Sequence, residues 1–227
     1  MGSRGNAGDA LVLTGFPGDA GAFILAEEAR DALLSRFSDA YLRRTRDVLG
    51  HLCPDTALEV LARFGARTEM LRDGGIFAAL FRFSEADRVG FTVSLRAVPL
   101  HQETVEICNE LDINPYKLYS AGCILAAVAD GDGALSALHA AGIPASRIGT
   151  VEAGCRKNIV NGTRTRCLER PGKDPLVMLG LAPGRRAGMK DPGDRGTCGS
   201  RIRGGRSRDC GTRAMTGCAA EGGRDEA

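Results

Sequence analysis

The chain has no tryptophan, and aromatic residues make up only 5% of its 227 positions. That scarcity removes the interleaved stacking rings on which a single-stranded nucleic-acid surface depends. No apolar run reaches the roughly 18 residues a membrane span needs. The opening Met1-Gly2-Ser3-Arg4-Gly5-Asn6 lacks the apolar stretch of a secretion signal, so a cytoplasmic protein is expected, with no membrane partner. Thirty Lys and Arg against 28 Asp and Glu leave a formal net charge of +2, too small to make nucleic acid the principal partner. No two of the 8 cysteines stand at C-x-x-C spacing, and His51, His101 and His139 lie far apart, so no metal site is expected. The same scatter leaves no Ser-His-Asp set to nominate, and no catalytic residue is assigned. Surface or packing roles fit the three histidines.

What is present is the patterning of one globular domain with an appendage, at 43% hydrophobic and 26% charged residues. Periodicity runs from residue 10 to about 178, between a disordered N-terminus over 1–9 and a disordered Gly/Arg-rich tail over 179–227. Ala10-Leu11-Val12-Leu13-Thr14 reads as a buried strand. A helix over 19–37 carries Ala22, Phe23, Leu25, Ala26, Ala29, Leu33, Leu34 and Phe37 close to one stripe. A second helix is expected over 39–52, and a third from Asp55 or Thr56 to Gly65. Then come a strand over 66–71, a helix over 76–86 closed by Gly90, a strand over 91–95 and a helix over 102–111. The last facing carries Val105, Ile107, Cys108 and Leu111 inward. Strand 122–129, helix 134–141 and strand 146–151 follow. Asn161-Gly162 marks a hairpin between 157–160 and 163–168. Alternating helices and strands with a hairpin give a mixed sheet and the α+β class.

Two small-residue turns are the candidates for chemistry. In Asp73-Gly74-Gly75, two residues without Cβ at a helix start let a phosphate approach free backbone N–H groups at the positive end of the helix dipole. The commoner role of such a pair is a tight strand-to-helix turn with Asp73 as N-cap. Ser120-Ala121-Gly122 leads into a buried strand, and its hydroxyl and amides face the same ligand if the two turns meet. Cys108 and Cys123 read as small buried hydrophobes. Arg203-Gly204-Gly205-Arg206 lacks aromatics and repeats and reads as soluble tail, and Cys198, Cys210 and Cys218 have no partner histidine.

Four segments in fixed order carry a family resemblance: Asp73-Gly74-Gly75-Ile76-Phe77-Ala78-Ala79-Leu80, then Pro99-Leu100-His101-Gln102-Glu103-Thr104-Val105, then Leu111-Asp112-Ile113-Asn114-Pro115, then Tyr119-Ser120-Ala121-Gly122-Cys123. Together with Gly142-Ile143-Pro144-Ala145 and the Asn161-Gly162 hairpin, they resemble the C-terminal domain of the AIR synthase superfamily, in its AIR synthase-related hydrogenase-maturation branch. The resemblance spans about residues 10–175. It implies an α/β/α layered domain with a mixed sheet and an ATP and Mg²⁺ context, in which Asp73, Gly74, Gly75, Ser120 and Gly122 form the phosphate-facing half of a nucleotide site. It also implies that the metal ligands and the dimer contacts belong to an N-terminal domain outside this sequence. The partners so implied are that N-terminal half, a maturation protein or a second copy. Glu69-Met70-Leu71-Arg72 stands where the family carries a His-Asp pair, and the surroundings of Cys218 do not match the carbamoyl-accepting cysteine of the carbamoyl dehydratases. Those departures keep a second expectation open, a non-catalytic remnant or interaction module.

Overall fold

The computed structural model describes residues 4–49 and 54–181. Seven strands form one sheet in the order β2-β4-β1-β5-β3-β6-β7: β1 (Ala10–Thr14), β2 (Arg67–Met70), β3 (Gly90–Ser94), β4 (Ile124–Val128), β5 (Ala145–Glu152), β6 (Lys157–Asn161) and β7 (Arg164–Cys167). Every pairing is antiparallel except β3 with β6, so the sheet is mixed, as the alternation of elements implied. The pleat explains the continuous apolar runs of the central strands. Leu11, Leu13, Leu125 and Ala127 turn to one face, and Val12, Ile124, Ala126 and Val128 to the other.

Helices cover both faces. Helix α5 (Gly75–Asp87) lays Ile76, Phe77, Leu80 and Phe83 on the first. On the second, α4 (Pro54–Arg63) and α7 (Gly131–Ala140) bring Ala57, Val60, Leu61, Ala134 and Leu138. Beside these layers α1 (Asp19–Glu28), α2 (Arg30–Leu33), α3 (Asp39–Leu49), α6 (Gln102–Glu110) and the short α8 (Pro175–Met178) share a further core of Leu25, Leu33, Leu42, Ile107, Cys108, Leu118 and Leu176. The layered α+β domain is therefore the observed architecture. Among the described residues no helix is long and apolar enough to cross a membrane.

Several boundaries differ from expectation. The helix expected over 19–37 breaks at Ala29 (φ −100°, ψ 21°), and the new direction buries Leu33 completely while Leu34 stays 42% exposed. Arg88 in the left-handed region, not Gly90, ends α5. Gly90 instead opens β3, where a Cβ would lie 2.7 Å from the Arg156 carbonyl oxygen. On α6 the buried face includes Glu103 and Thr104, because Arg44 pairs with the one at 2.8 Å and the other reaches Asp19. Helix α4 starts at Pro54, so Thr56 lies within its first turn and not at its cap.

The N-terminus expected to be disordered is bound to the domain from Arg4 onward. The Gly5 amide donates to Asp87 Oδ2 at 3.0 Å, the Gly8 amide to the Val151 carbonyl at 2.9 Å, and the Val151 amide back to Asp9 at 2.9 Å. These backbone bonds extend the pairing with β5 back beyond the start of β1, which sequence periodicity does not register. The readings made for residues 50–53 and for the tail from 182 onward, with His51, Cys53, Cys198, Cys210, Cys218 and Arg203-Gly204-Gly205-Arg206, fall outside the described residues.

Candidate functional site: three turns at one end of the sheet

Antiparallel register gathers three turns at one end of the sheet. Thr14 at the end of β1 and Met70 at the end of β2 both pair with Ile124 at the start of β4. The loops that follow Thr14 and Met70, and the one that precedes Ile124, must therefore converge. The Ser120 amide donates to the Arg72 carbonyl at 3.3 Å, and the Leu71 amide to that of Cys123 at 3.0 Å. The structure thus joins the two turns nominated from sequence, and adds a third, Gly15-Phe16-Pro17-Gly18, which was not.

Gly74 stands in the left-handed region (φ 76°) as the N-cap of α5, and Gly75 follows at φ 59°. A Cβ on Gly75 would lie 2.6 Å from the carbonyl oxygens of both Leu118 and Tyr116, so this glycine allows the two turns to touch. Asp73 is exposed and is not the cap. The capping carboxylate comes from 100 residues away: the Gly74 amide donates to Asp174 Oδ2 at 2.7 Å, and the Leu176 amide to Asp174 Oδ1 at 2.9 Å. Asp174 is only 3% exposed. Burial pushes its carboxyl above the ordinary value, against the lowering effect of the two amides, and the charge on Asp73 adds to the rise.

Ser120 is buried, with its hydroxyl committed on both sides. It accepts from the Gly18 amide at 2.8 Å and donates to the Leu118 carbonyl at 2.7 Å. Gly122 holds φ 89° and lets the chain turn into β4. Of the five nominated residues, Gly74, Gly75 and Ser120 meet through this network, Gly122 shapes it, and Asp73 lies at its exposed rim.

The third turn supplies a buried carboxylate of its own. Asp19, in the first turn of α1 and 2% exposed, accepts from Thr104 Oγ1 at 2.7 Å and lies 2.7 Å from His101 Nδ1. Burial raises its carboxyl above the usual range, with Thr104 and His101 opposing the rise. The Phe16 ring stacks on His101 with centroids 3.8 Å apart. His101, a packing or surface residue by its sequence context, ties the start of α6 to the start of α1. The signal that could have found this turn is the spacing of Gly15, Gly18 and Gly21 around an acid between strand and helix. Cys123 lies behind it, fully buried, and Cys108 is likewise buried with its thiol pushed up to about 12; neither is a nucleophile at neutral pH. Among the described residues, no group of three or more His, Cys, Asp or Glu is placed to hold a metal ion.

Residues 70–161 match the family described as AIR synthase related protein, C-terminal domain. The chain is similar to the carbamoyl dehydratase HypE of Rhizobium leguminosarum bv. viciae, 30% identical over 153 residues that make up 64% of this chain and 41% of that protein. Its fold is similar to that of the hydrogenase maturation protein HypE solved in complex with ATP, with a TM-score of 0.60 and 20% identity over 77% of this chain and 54% of the other. HypE in its complex with HypF has the same fold, with a TM-score of 0.57 and 18% identity over 74% of this chain and 54% of that one. The chain spans about two fifths of the length of the curated relative, 41%, and about half of the solved chains, 54%.

Proposed function

The chain carries a C-terminal domain of the AIR synthase-related hydrogenase-maturation family, and from that premise we propose that it works as a partner-binding domain in hydrogenase maturation rather than as an ATP-using catalyst by itself. The observation that carries this reading is the hydrogen bond from the Gly74 amide to Asp174. A helix start favours an anion through its amides and its dipole, and here the chain's own carboxylate has that place. An arriving phosphate would meet two carboxylates, Asp73 and Asp174, and a Ser120 hydroxyl already bonded twice. As arranged, these residues do not fit a nucleotide phosphate. Asp73 alone does not fit Mg²⁺, which takes octahedral oxygen coordination. HypE in its complex with HypF supports a protein partner, a maturation protein or an N-terminal half; self-association is the competing arrangement, which light scattering of the full chain separates.

A second reading is supported by the likeness to HypE solved with ATP: the turns form the C-terminal half of a nucleotide site once Asp174 leaves Gly74. A thermal-shift titration of the full chain with ATP, ADP and Mg²⁺ decides between them. A ligand that binds only the folded state adds roughly 2.7 kcal/mol at about 100 times its Kd. The binding-domain reading expects no shift from the parent chain. A shift that Gly74→Asp abolishes and Asp174→Ala enlarges would replace it with the nucleotide reading.

A further inference from the structure

The two edges of the sheet are finished in different ways. At the β2 edge the cations fold back onto their own strand. Arg67 donates to the Thr68 carbonyl and pairs with Glu69 and Asp87, each at 3.4 Å. Arg82 pairs with Glu69 at 2.9 Å and reaches the Met70 carbonyl at 3.3 Å. That edge is closed by its own charges, a common protection against added strands.

At the opposite edge all four residues of β7 are exposed. The Leu168 amide donates to the Lys157 carbonyl at 2.7 Å, and the register continues through Ile159↔Arg166 and Asn161↔Arg164. In an antiparallel ladder, bonded and non-bonded pairs alternate. Arg164 and Arg166 therefore turn their backbone groups to β6, and Thr165 and Cys167 turn theirs outward. The side chains of Arg164 and Arg166 project to one face, where the Arg166 guanidinium lies 5.7 Å from the Phe77 ring. Arg96 lies against the hairpin turn, its Nη2 3.0 Å from where a Gly162 Cβ would be. Among the described residues, none of Arg96, Arg156, Arg164 and Arg166 has an acidic partner in an ion pair.

We propose that the β7 edge binds an acidic, extended peptide segment of a partner protein as an eighth strand of the sheet. The outward N–H and C=O groups of Thr165 and Cys167 pair with the peptide backbone, and Asp or Glu at alternate positions faces Arg164 and Arg166. This rests on the binding-domain reading and names its surface. A second copy of the same edge would bring like charges together. A nucleic-acid strand offers phosphate acceptors but no backbone donors for the outward carbonyls, and the neighbouring rings, Phe77 and Phe81, lie beneath Arg166 and Lys157 and are not free to stack on bases.

The test is fluorescence anisotropy of the full chain with a labelled short peptide alternating Glu and Thr. The parent should bind. Thr165→Pro removes an outward N–H and leaves the ladder to β6 intact, and Arg164→Glu reverses a facing charge; each should weaken binding about tenfold or more. The same peptide N-methylated at alternate residues should not bind, which tests strand addition on the unaltered protein should Thr165→Pro fold poorly. No binding to the parent overturns the proposal. So does undiminished binding of the N-methylated peptide, or of Thr165→Pro with an unchanged melting temperature; tight binding of an oligothymidylate would then mark the patch as a nucleic-acid surface. A Gly74-dependent nucleotide shift would remove the binding-domain reading without altering the peptide result, so the two fail separately.

Discussion

Asp19 and Asp174 are two buried carboxylates at the same end of the sheet, 2% and 3% exposed, and burial is the largest cause raising each carboxyl above its ordinary value. They differ in what meets them. Asp19 faces side chains, the Thr104 hydroxyl and the His101 ring, whereas Asp174 faces the backbone amides of Gly74 and Leu176. A hydroxyl can reverse from donor to acceptor, and an imidazole can change tautomer. A backbone amide only donates. One site can therefore accommodate a changed partner, and the other has room for an acceptor alone.

The largest expected effect follows from that contrast. Asp174→Asn keeps one oxygen and turns an NH₂ group toward the second amide, leaving a buried donor facing a donor. The expected loss is about 3 kcal/mol in urea unfolding, with faster hydrogen exchange at the Gly74 amide as the local sign. Asp19→Asn should cost about 1 kcal/mol or less, because its NH₂ can donate to Thr104 Oγ1 while its oxygen still accepts from His101. Equal losses at the two positions would show that donor type is not what separates them.

The same contrast marks how far the sequence could be read. Strands β1 and β4 were legible because each is an apolar run of β type. The Gly74-Gly75 turn was legible because paired glycines at a strand-to-helix junction have few other uses. The hairpin was legible from Asn161-Gly162, but its two turn residues are Gly162, at φ 61°, and Thr163, because Asn161 still pairs with Arg164. The acid that caps α5 was not, since Asp174 lies 100 residues from Gly74 and no local pattern links the two. His101 and Asp19 lie 82 residues apart and belong to different helices. Local pattern carries strands, turns and caps; which carboxylate reaches which donor is settled only when the sheet order β2-β4-β1-β5 brings three loops to one end. The Ala29 break escaped notice for a related reason, because the apolar stripe continues across it and tertiary packing alone decides the bend.

The smallest effect tests the charges around the two carboxylates. Because both folded values lie above the ordinary aspartate value of 3.8, the folded chain keeps each proton to higher pH than the unfolded chain does. Their contribution is fully present below about 3.8 and is lost as pH rises through the folded value. Each Asn substitution should therefore cost less as pH climbs through that window. Glu85, lowered mainly by its bond to Lys157, and Glu106, lowered mainly by Gln102 and then Tyr41, run in the opposite direction, but they are common to parent and variant and cancel in the difference. The neighbours then separate the two sites. Asp73 raises the Asp174 carboxyl, whereas Asp19 is raised by Glu103 and lowered by His101. Asp73→Asn should bring the upper end of the Asp174 window to lower pH and leave that of Asp19 in place. Urea titrations of the parent, Asp73→Asn and each Asn variant, with and without Asp73, read both windows. A shift of the Asp19 window on changing Asp73 would mean that the two carboxylates titrate as one coupled site, and their difference in donors would no longer describe independent positions.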